Sequence, residues 1–335
     1  MKLGAYTACL HDKPLQEALK TLSSLGLESA EINSGGFLPP VHLPIDDLRQ
    51  SEQARQDYLG QFQAAGMTLT ALNCNGNPLD PNPHVGPRQA QDILDSIEVA
   101  ALLGVKRVVT MSGTPAASAN GRYPAWNVLP WHSVFLDVRD YQWNEVAIPF
   151  WKKVQAHAAD HDVKVAIEMH PHNIVYNPGT LERLVTEVNA THVGAEMDPS
   201  HLFWQGIEPI EAVRHLGGLV YNAAAKDTRI NPAARVNGVL DDAFGRVDPQ
   251  DPDALNLGGD YTLSRWPEQS SWDFVAVGRG HDVDWWREFL TALEEADPDM
   301  AVNIEHEDQE LDQMEGLRQA AATLLEAAGR GSVGS

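Results

Sequence analysis

Carboxylates stand at or near the C-terminal ends of three apolar, strand-like segments of this chain. Glu168 lies in "VKVAIEMH", Asp198 ends "VGAEMD", and Glu305 lies in "MAVNIEHE". Side chains alternate across a strand, so the apolar set of each segment faces one side and the acid faces the other. Buried carboxylates that lie close together are costly unless a positive group joins them. The three oxygen donors therefore predict a site for a divalent cation such as Mn²⁺, Mg²⁺ or Co²⁺.

A histidine would complete this donor set, and the sequence leaves three candidates open. His281 lies in "VGRGHDVDWW", His201 in "DPSH" and His170 in "EMHP". Simpler explanations exist, since His281 could cap the following helix and His201 could be a buried histidine with satisfied hydrogen bonds. Asp198 precedes Pro199, which is also compatible with a plain turn. The coincidence of these residue types at strand ends favours the metal site.

Eight strand-like segments alternate with longer amphipathic segments along the chain, which predicts parallel strands joined by helices. We predict a single (β/α)8 TIM barrel over residues 1–328 and a disordered tail over residues 329–335. The alternative, a doubly wound open sheet, usually carries G-x-G-x-x-G after its first strand, and this sequence does not. In a barrel the C-terminal strand ends meet at one mouth, where barrel enzymes hold their active sites. The segments are "KLGAYTA", "SAEINS", "TLTALNCN", "VKRVVTMS", "VKVAIEMH", "VGAEMD", "LVYNAAAKD" and "MAVNIEHE".

The same alternation turns further polar side chains toward the barrel interior. The third strand offers Asn73 and Asn75, and the fourth offers Thr110 and Ser112. We assign three of these residues, Asn73, Asn75 and Ser112, to substrate binding. Other polar residues that the pattern points inward are Glu31, Asn33, Glu196 and Asn303.

Two predicted connections are much longer than the few residues that are usual in such folds. Residues 112–142 follow the fourth strand and residues 228–284 follow the seventh, so both would lie at the mouth. Long loops often serve as lids or binding surfaces, although surface elaboration or a subunit interface is the plainer explanation. Tryptophans in these loops or after the sixth strand offer aromatic faces to a sugar or an aglycone. Those that we assign to substrate binding are Trp126, Trp131 and Trp204.

Charge and composition narrow the class of ligand. The 335 residues include 24 Lys and Arg against 47 Asp and Glu, a formal net charge of -23, which repels nucleic acid and anionic membranes. The two cysteines, Cys9 and Cys74, are too few for a disulfide framework, and the N-terminus lacks the apolar core of a signal peptide. No apolar segment approaches the length of about 20 residues that spans a bilayer. We therefore expect a cytoplasmic protein that acts on a neutral small molecule.

The motifs also resemble those of the xylose-isomerase-like sugar isomerase and epimerase superfamily, which includes an AP endonuclease branch. In that superfamily a Glu of strand five, an Asp of strand six, a His and a Glu of strand eight hold a divalent metal, often Mn²⁺. The resemblance implies Glu168, Asp198 and Glu305 as ligands, with Mg²⁺, Co²⁺ or Zn²⁺ as alternative ions. Many relatives carry the histidine on strand seven, where this chain has Ala224, and His281 is the implied replacement. The resemblance rests on "ALNCNGNPL", "TMSG", "QWNEVAIPFW", "AIEMHP", "GAEMDPSHLFWQG", "AAAKDT", "VGRGHDVDWW" and "NIEHED".

Within the superfamily, the sequence resembles the catalytic subunits of bacterial C-glycoside deglycosidases, which cleave 3-keto C-glycosides with a small partner subunit. This resemblance implies a keto-glycoside substrate and such a partner. We also expect an oligomer, since loop tryptophans often form subunit interfaces. The main alternative is a sugar or sugar phosphate isomerase or epimerase, because proton removal beside a carbonyl begins both reactions. A nuclease like the AP endonucleases, which the net charge disfavours, and a non-catalytic partner subunit are further alternatives.

Catalytic roles follow from this chemistry. Glu168 and Glu305 are placed to serve as metal ligand and acid or base together, although coordination lowers their basicity. Lys226 could stabilise a developing oxyanion or simply neutralise the acidic cluster. Histidines have an ordinary pKa near working pH and are candidates for proton transfer. The histidines in question are His201, His170 and His132.

Overall fold

Eight parallel strands close into a barrel in the computed structural model, which describes residues 1–252, 254–259 and 261–331. Each barrel strand pairs with the next one along the chain, and the last pairs with the first. The predicted (β/α)8 barrel is therefore confirmed. The barrel strands are β1 (Lys2–Tyr6), β2 (Ser29–Asn33), β3 (Thr68–Asn73), β4 (Arg107–Met111), β5 (Lys164–Glu168), β6 (Val193–Met197), β7 (Val220–Ala225) and, after four short strands β8 to β11, β12 (Ala301–Ile304).

Helices fill the connections between the barrel strands and cover the outside of the barrel. Short 3-10 helices span Thr7–Leu10 and Gly217–Leu219, and a π-helix spans Tyr141–Ala147. The α-helices are α1 (Leu15–Ser24), α2 (Ile45–Gln50), α3 (Glu52–Ala64), α4 (Gly86–Leu103), α5 (Ser133–Asp140), α6 (Ile148–His161), α7 (Pro178–Glu187), α8 (Ser200–Phe203), α9 (Pro209–Leu216), α10 (Ala234–Asn237), α11 (Val283–Ala296) and α12 (Gln313–Ala327).

Local sequence signals explain where several helices begin and end. Asn177 starts α7 with a capping box, because its side chain accepts the N–H of Thr180 while the Thr180 hydroxyl accepts the N–H of Asn177. Asp282 starts α11 by accepting the N–H of Trp285. Gly104 follows the last residue of α4 with a backbone φ of 73°, a left-handed conformation that glycine adopts without strain. Side chains thus satisfy backbone groups that a helix end leaves unpaired.

The main hydrophobic core lies between the outer face of the barrel strands and the helices. Val165, Ile167 and Val302 belong to it and are fully buried, as are Trp151 of α6 and Trp286 of α11. The outward apolar faces predicted for β5 and β12 are therefore confirmed. This packing leaves the polar residues of the same strands facing the barrel interior.

A separate, smaller apolar cluster shows which side of β4 faces inward. Val109 joins Ala71 and Ala166 of the neighbouring strands in this cluster, apart from the main core. The Thr110 hydroxyl instead donates to the carbonyl of Cys74. The inward orientation expected for Thr110 is therefore wrong, because β4 contributes an apolar residue to the interior packing.

The two long connections predicted at the mouth are present, but they are not structureless. The first, residues 112–142, contains α5 and the start of the π-helix, and the second, residues 228–284, contains α10 and most of the short strands. β8 pairs antiparallel with β11, and β9 pairs antiparallel with β10. The short strands are β8 (Asp227–Ile230), β9 (Asn256–Gly258), β10 (Tyr261–Thr262) and β11 (Trp272–Val275).

The division into a barrel of residues 1–328 and a tail of residues 329–335 stays a prediction, because residues 332–335 lie outside the described residues. Helix α12 ends at Ala327, next to the predicted boundary. Within the part of the chain that the structure describes, no helix combines the length and apolar character needed to cross a bilayer.

Candidate functional site

Three carboxylates from different strands meet at the C-terminal mouth of the barrel. Glu168 is the last residue of β5, Asp198 follows β6, and Glu305 follows β12. Each offers a carboxylate oxygen, and these oxygens lie within 4.8 Å of one another. We call Glu168, Asp198 and Glu305 the upper carboxylates. The structure thus brings together the three acids that the sequence singled out, at a spacing suited to the oxygen ligands of one cation.

His201 is the histidine that the structure places against the upper carboxylates. Its Nε2 lies 3.2 Å from Glu168 Oε1 and 3.4 Å from Asp198 Oδ2. Among the described residues, neither ring nitrogen of His201 has a hydrogen-bond partner, and neither has Asp198 Oδ2, although these atoms are buried. Burial lowers the pKa of His201 well below its usual value, and the nearby His170 lowers it further. The lowered pKa favours the neutral imidazole, which has a lone pair available for a metal or a proton.

Burial makes the ionised upper carboxylates costly on their own. It raises the pKa of Asp198, although His201 and Lys226 oppose this effect. It also raises the pKa of Glu305 well above the usual value, an effect that Lys226 opposes and Glu168 increases. A divalent cation would favour the ionised form of each acid. The donor set therefore fits a hard divalent ion, with three carboxylates and one imidazole whose nitrogens are unpartnered.

Lys226 contacts the edge of this set. Its Nζ lies 3.6 Å from Glu305 Oε2, 2.7 Å from Glu307 Oε1 and 4.3 Å from the centroid of the Phe274 ring. Burial alone would lower the pKa of Lys226, but Glu307 and Glu305 raise it above the usual value. Lys226 is therefore an ammonium group beside the upper carboxylates. This charge serves either predicted role, oxyanion stabilisation or neutralisation of the acids.

His170 also lies at the mouth, two residues beyond Glu168. Its ring centroid is 4.0 Å from that of His201. Ligand atoms of Glu168, His170 and His201 form a second group within 4.8 Å of one another. The Nδ1 of His170 lies 2.5 Å from the carbonyl of Pro171, which makes Nδ1 the donor and leaves Nε2 as an acceptor. His170 is half-buried, so it can exchange a proton with solvent.

His281, the fourth ligand that the family resemblance implies, is held by another carboxylate. Its Nδ1 lies 2.7 Å from Asp227 Oδ1, and its backbone N–H donates to Asp227 Oδ2. Its ring stacks on Phe203 with centroids 3.8 Å apart. In the described ranges, His281 belongs to no group of three or more residues whose ligand atoms lie within 4.8 Å of one another. Its role as a metal ligand stays a prediction, while the structure places His201 among the upper carboxylates.

The two asparagines of the third strand segment lie at different depths. Asn75 Nδ2 donates to Glu168 Oε2 at 2.5 Å, so Asn75 holds one of the upper carboxylates. Asn73 Nδ2 donates to Glu31 Oε1 at 2.7 Å, deeper in the barrel, and Asn73 is fully buried. Their assignment to substrate binding stays a prediction. The contacts of Asn73 are those of a residue that positions an interior acid.

Ser112 and two of the tryptophans already have partners within the protein. The Ser112 hydroxyl accepts a backbone N–H at 2.9 Å, and Ser112 is fully buried. Its hydroxyl thus anchors the segment after β5. The indole N–H of Trp126 donates to a backbone carbonyl at 2.9 Å, and Trp204 stacks on Trp272 with centroids 5.0 Å apart. The substrate contacts assigned to these residues stay predictions.

Trp131 and His132 lie on the outer part of the first long connection. Trp131 is 86% exposed, and helix α5, which follows His132, has no buried residue. The ring of His132 contacts Phe135, with centroids 6.2 Å apart. The structure shows no contact between either residue and the upper carboxylates. Their predicted roles in substrate binding and proton transfer therefore remain untested.

A cluster of buried polar side chains lies deeper in the barrel than the upper carboxylates, and the sequence patterns gave it no role. Glu31 accepts hydrogen bonds from Asn222 Nδ2 at 3.0 Å and Asn303 Nδ2 at 2.9 Å, besides the one from Asn73. Asn222 Nδ2 also donates to Glu196 Oε1 at 2.9 Å. We call Glu31, Glu196, Asn222 and Asn303 the lower layer. All four are at most 2% exposed.

The lower layer joins the upper carboxylates through Glu305. Carboxylate oxygens of Glu31, Glu196 and Glu305 also lie within 4.8 Å of one another. Burial raises the pKa of Glu196 well above the usual value, and Glu31 and Glu305 raise it further. One signal in the sequence could have identified Glu196 as part of this cluster. It lies two residues before Asp198, so both side chains are on the same face of the strand segment.

Comparisons with known proteins agree with this fold. A protein-family model described as xylose isomerase-like TIM barrel matches residues 19–327. An uncharacterized protein of Bacillus subtilis (strain 168), YfiH, is 37% identical over 329 residues, which cover 97% of this chain and 98% of that protein.

Solved structures of similar fold include sugar enzymes and metal-containing proteins. The IOLI protein with a bound zinc atom has a TM-score of 0.60 and 19% identity, with 100% of both chains covered. The 3-keto-D-glucoside 4-epimerase YcjR from E. coli has a TM-score of 0.61 and 12% identity, covering 97% of this chain and 99% of that one. At these identities the similarity shows the fold.

Proposed function

The chain belongs to the xylose isomerase-like TIM-barrel family, and from that premise we propose a divalent-metal-dependent enzyme that removes the proton beside the carbonyl of a keto-sugar. The observation that carries this proposal is the meeting of Glu168, Asp198 and Glu305 within 4.8 Å, with His201 against two of them. Family membership supports the broad class, a sugar isomerase or epimerase type of barrel. The reaction and substrate are our proposal.

The upper carboxylates would hold the ion through their oxygens, with His201 or His281 as the nitrogen ligand. When bound, the ion supplies Lewis-acid polarisation of a carbonyl oxygen and lowers the pKa of the adjacent C–H. We propose Mn²⁺, which suits a carboxylate-rich set, with Mg²⁺, Co²⁺ and Zn²⁺ as alternatives. The zinc in the IOLI structure supports a metal in this fold.

Protein side chains then handle the proton and the developing charge. His170 has a free Nε2 and is half-buried, so it is our proposed base. His201 contacts both His170 and the upper carboxylates. Its imidazole is therefore a second proton-transfer group beside the proposed metal site. The Lys226 ammonium adds positive charge where an oxyanion would develop. In this scheme Glu168 and Glu305 act as metal ligands and do not transfer the proton.

The specific reaction that we propose is β-elimination of a 3-keto-glycoside, as in C-glycoside deglycosidases. The C–H bond beside the ketone breaks, a C=C bond forms, and the aglycone leaves with its bonding electrons and takes up a proton. The keto-glucoside substrate named for YcjR supports a keto-glycoside in this fold, and the two long connections favour a ligand larger than a monosaccharide. The alternative is epimerisation or isomerisation, in which the proton returns to carbon. A small partner subunit, an oligomer and a cytoplasmic location stay predictions.

The test is proton exchange in heavy water. Purified protein loaded with Mn²⁺ is incubated in D2O with 3-keto-glucosides, both C- and O-linked, and with free ketoses, and products are identified by mass. We expect deuterium beside the ketone, with free aglycone for elimination or a new epimer for the alternative. The variant His170→Gln should lose exchange, whereas Asp160→Asn, at an exposed acid of α6, should retain it. Full turnover by metal-free protein, or no exchange with any of these substrates, would contradict the proposal.

A further inference from the structure

We propose that the barrel interior holds a second divalent cation, bound by Glu31, Glu196 and Glu305 beneath the upper carboxylates. The three residues offer carboxylate oxygens within 4.8 Å of one another. Glu305 belongs to this group and to the upper carboxylates, so the two ions would share one carboxylate. The inference goes beyond the proposed function, which requires a single ion at the mouth.

Unpartnered oxygens in the lower layer are the second observation behind this site. Among the described residues, Glu196 Oε2, Asn222 Oδ1 and Asn303 Oδ1 have no hydrogen-bond partner, although they are buried. The amide nitrogens of both asparagines donate to Glu31, so both side chains belong to the same buried cluster. Buried oxygens without a partner are rare and costly in folded proteins. A cation surrounded by carboxylate and amide oxygens would satisfy them, since hard divalent ions take such ligands.

The balance of charge also favours a second ion. The upper carboxylates, Glu31 and Glu196 make five acids in one contiguous cluster, and Lys226, the ammonium that contacts it among the described residues, also pairs with a sixth acid, Glu307. One divalent ion together with Lys226 supplies three positive charges. A second divalent ion raises the total to five. Without it, the neutral amides of the lower layer would have to stabilise the remaining negative charge alone.

A proton on Glu196 is the alternative to a cation. It would neutralise one charge and turn Oε2, which accepts no hydrogen bond among the described residues, into a donor. One hydroxyl donates to one acceptor, so at least one of the oxygens of Asn222 and Asn303 would stay without a partner. One cation can take several oxygen ligands, whereas one proton joins a single donor to a single acceptor.

The proposed ion would be enclosed by the barrel. The lower layer is at most 2% exposed, so an ion there has no open face for a substrate. Its ligands are all oxygen atoms, which favours Mn²⁺, Mg²⁺ or Ca²⁺ over softer metals. Its effect would be to neutralise the interior and to hold Glu305 in place under the upper site.

The test counts the ions. Full-length protein is stripped with a chelator, reloaded with Mn²⁺, separated from free metal by gel filtration and measured by elemental mass spectrometry. We expect two Mn²⁺ per chain in the wild type and one in both Glu196→Gln and Asp198→Asn. Glu211→Gln, whose side chain is 74% exposed, is the control and should keep two. In the wild type, electron paramagnetic resonance should show coupled Mn²⁺ ions, and each single-site variant should show an uncoupled one.

The wild-type measurement decides the question even where a variant fails to fold. One Mn²⁺ per chain with an uncoupled signal would overturn the second site and favour the proton on Glu196. Two coupled ions without any proton exchange would keep the second site and refute the proposed function. One ion per chain with full exchange activity would refute the second site and keep the proposed function.

Discussion

Glu196 and Asn303 of the lower layer lie two residues before the upper carboxylates Asp198 and Glu305, yet different groups compensate the charge of the two sets. Above, Glu305 contacts the ammonium of Lys226, and the other two acids contact the neutral His201. Below, Glu31 accepts three hydrogen bonds from asparagine side chains. An amide stabilises an anion through a fixed dipole, whereas an ammonium or a metal ion does so through a full charge. The upper set is therefore built for charge that changes during a reaction, and the lower layer for charge that stays constant.

This difference in charge compensation suggests different roles: the upper carboxylates bind ligands and take part in the reaction, and the lower layer supports them. The upper acids retain unpartnered acceptors, such as Asp198 Oδ2, that an ion or substrate can use. In the lower layer both oxygens of Glu31 accept from amide donors, and the acceptors without a partner face the enclosed interior, where we propose an ion that no substrate reaches. Substitutions in the upper set should therefore change function more than stability, and substitutions in the lower layer should do the opposite. Three variants test this distinction.

Breaking the upper set should have the largest effect. In Asp198→Asn, the amide oxygen keeps the hydrogen bond from Ser200 N–H, but the charge and the unpartnered ligand oxygen are lost. We expect Mn²⁺ affinity to fall by about 100-fold or more, since even residues behind the ligands contribute about 10- to 100-fold. Titration calorimetry measures the affinity, and the melting temperature of the metal-free protein should change little. Wild-type affinity in this variant would remove Asp198 from the site.

Breaking the lower layer should have the next largest effect, on stability. Glu31→Ala leaves the buried amide donors of Asn73 and Asn303 without that acceptor, while Asn222 keeps its bond to Glu196, and each such loss costs about 1–3 kcal/mol. We expect the free energy of unfolding of the metal-free protein to fall by about 2 kcal/mol or more in urea titrations. The exposed Glu211→Gln serves as the control. Equal stability of the two variants would show that the lower layer is not a structural support.

The smallest and sharpest test compares two residues of one strand segment. Asn75→Ala removes the donor to Glu168, and Asn73→Ala removes a donor to Glu31. We expect Asn75→Ala to reduce kcat/KM for proton exchange by about tenfold, the equivalent of about 1.4 kcal/mol, with little change in stability. Asn73→Ala should lower the free energy of unfolding by about 1–3 kcal/mol, with little change in the activity of the folded protein. The reverse pattern would contradict the division between the two layers.

The sequence predicted the barrel and the upper acids because both follow from local patterns. Apolar residues at every second position of β5 and β12 identified the outer face, and this placed Glu168 and Glu305 on the inner one. The same method failed for β4, which is buried on both faces, so alternation alone could not decide between Val109 and Thr110.

Other features depended on contacts between distant segments. The orientation of His281 is set by Asp227, which comes from another part of the chain, and no spacing rule links the two. The lower layer combines side chains from β2, β6, β7 and β12, so its network appears only when the barrel is closed. The family resemblance pointed to His281, whereas the fold places His201 beside the acids.

Asp227 also has a consequence for how this protein can diversify. Its carboxylate accepts the backbone N–H groups of Gly278, Gly280 and His281, and so fastens the end of the second long connection to its beginning. The intervening residues form a closed insert whose two ends remain at fixed positions whatever its length or composition. Changes within this insert should therefore leave the strand-borne acids in register.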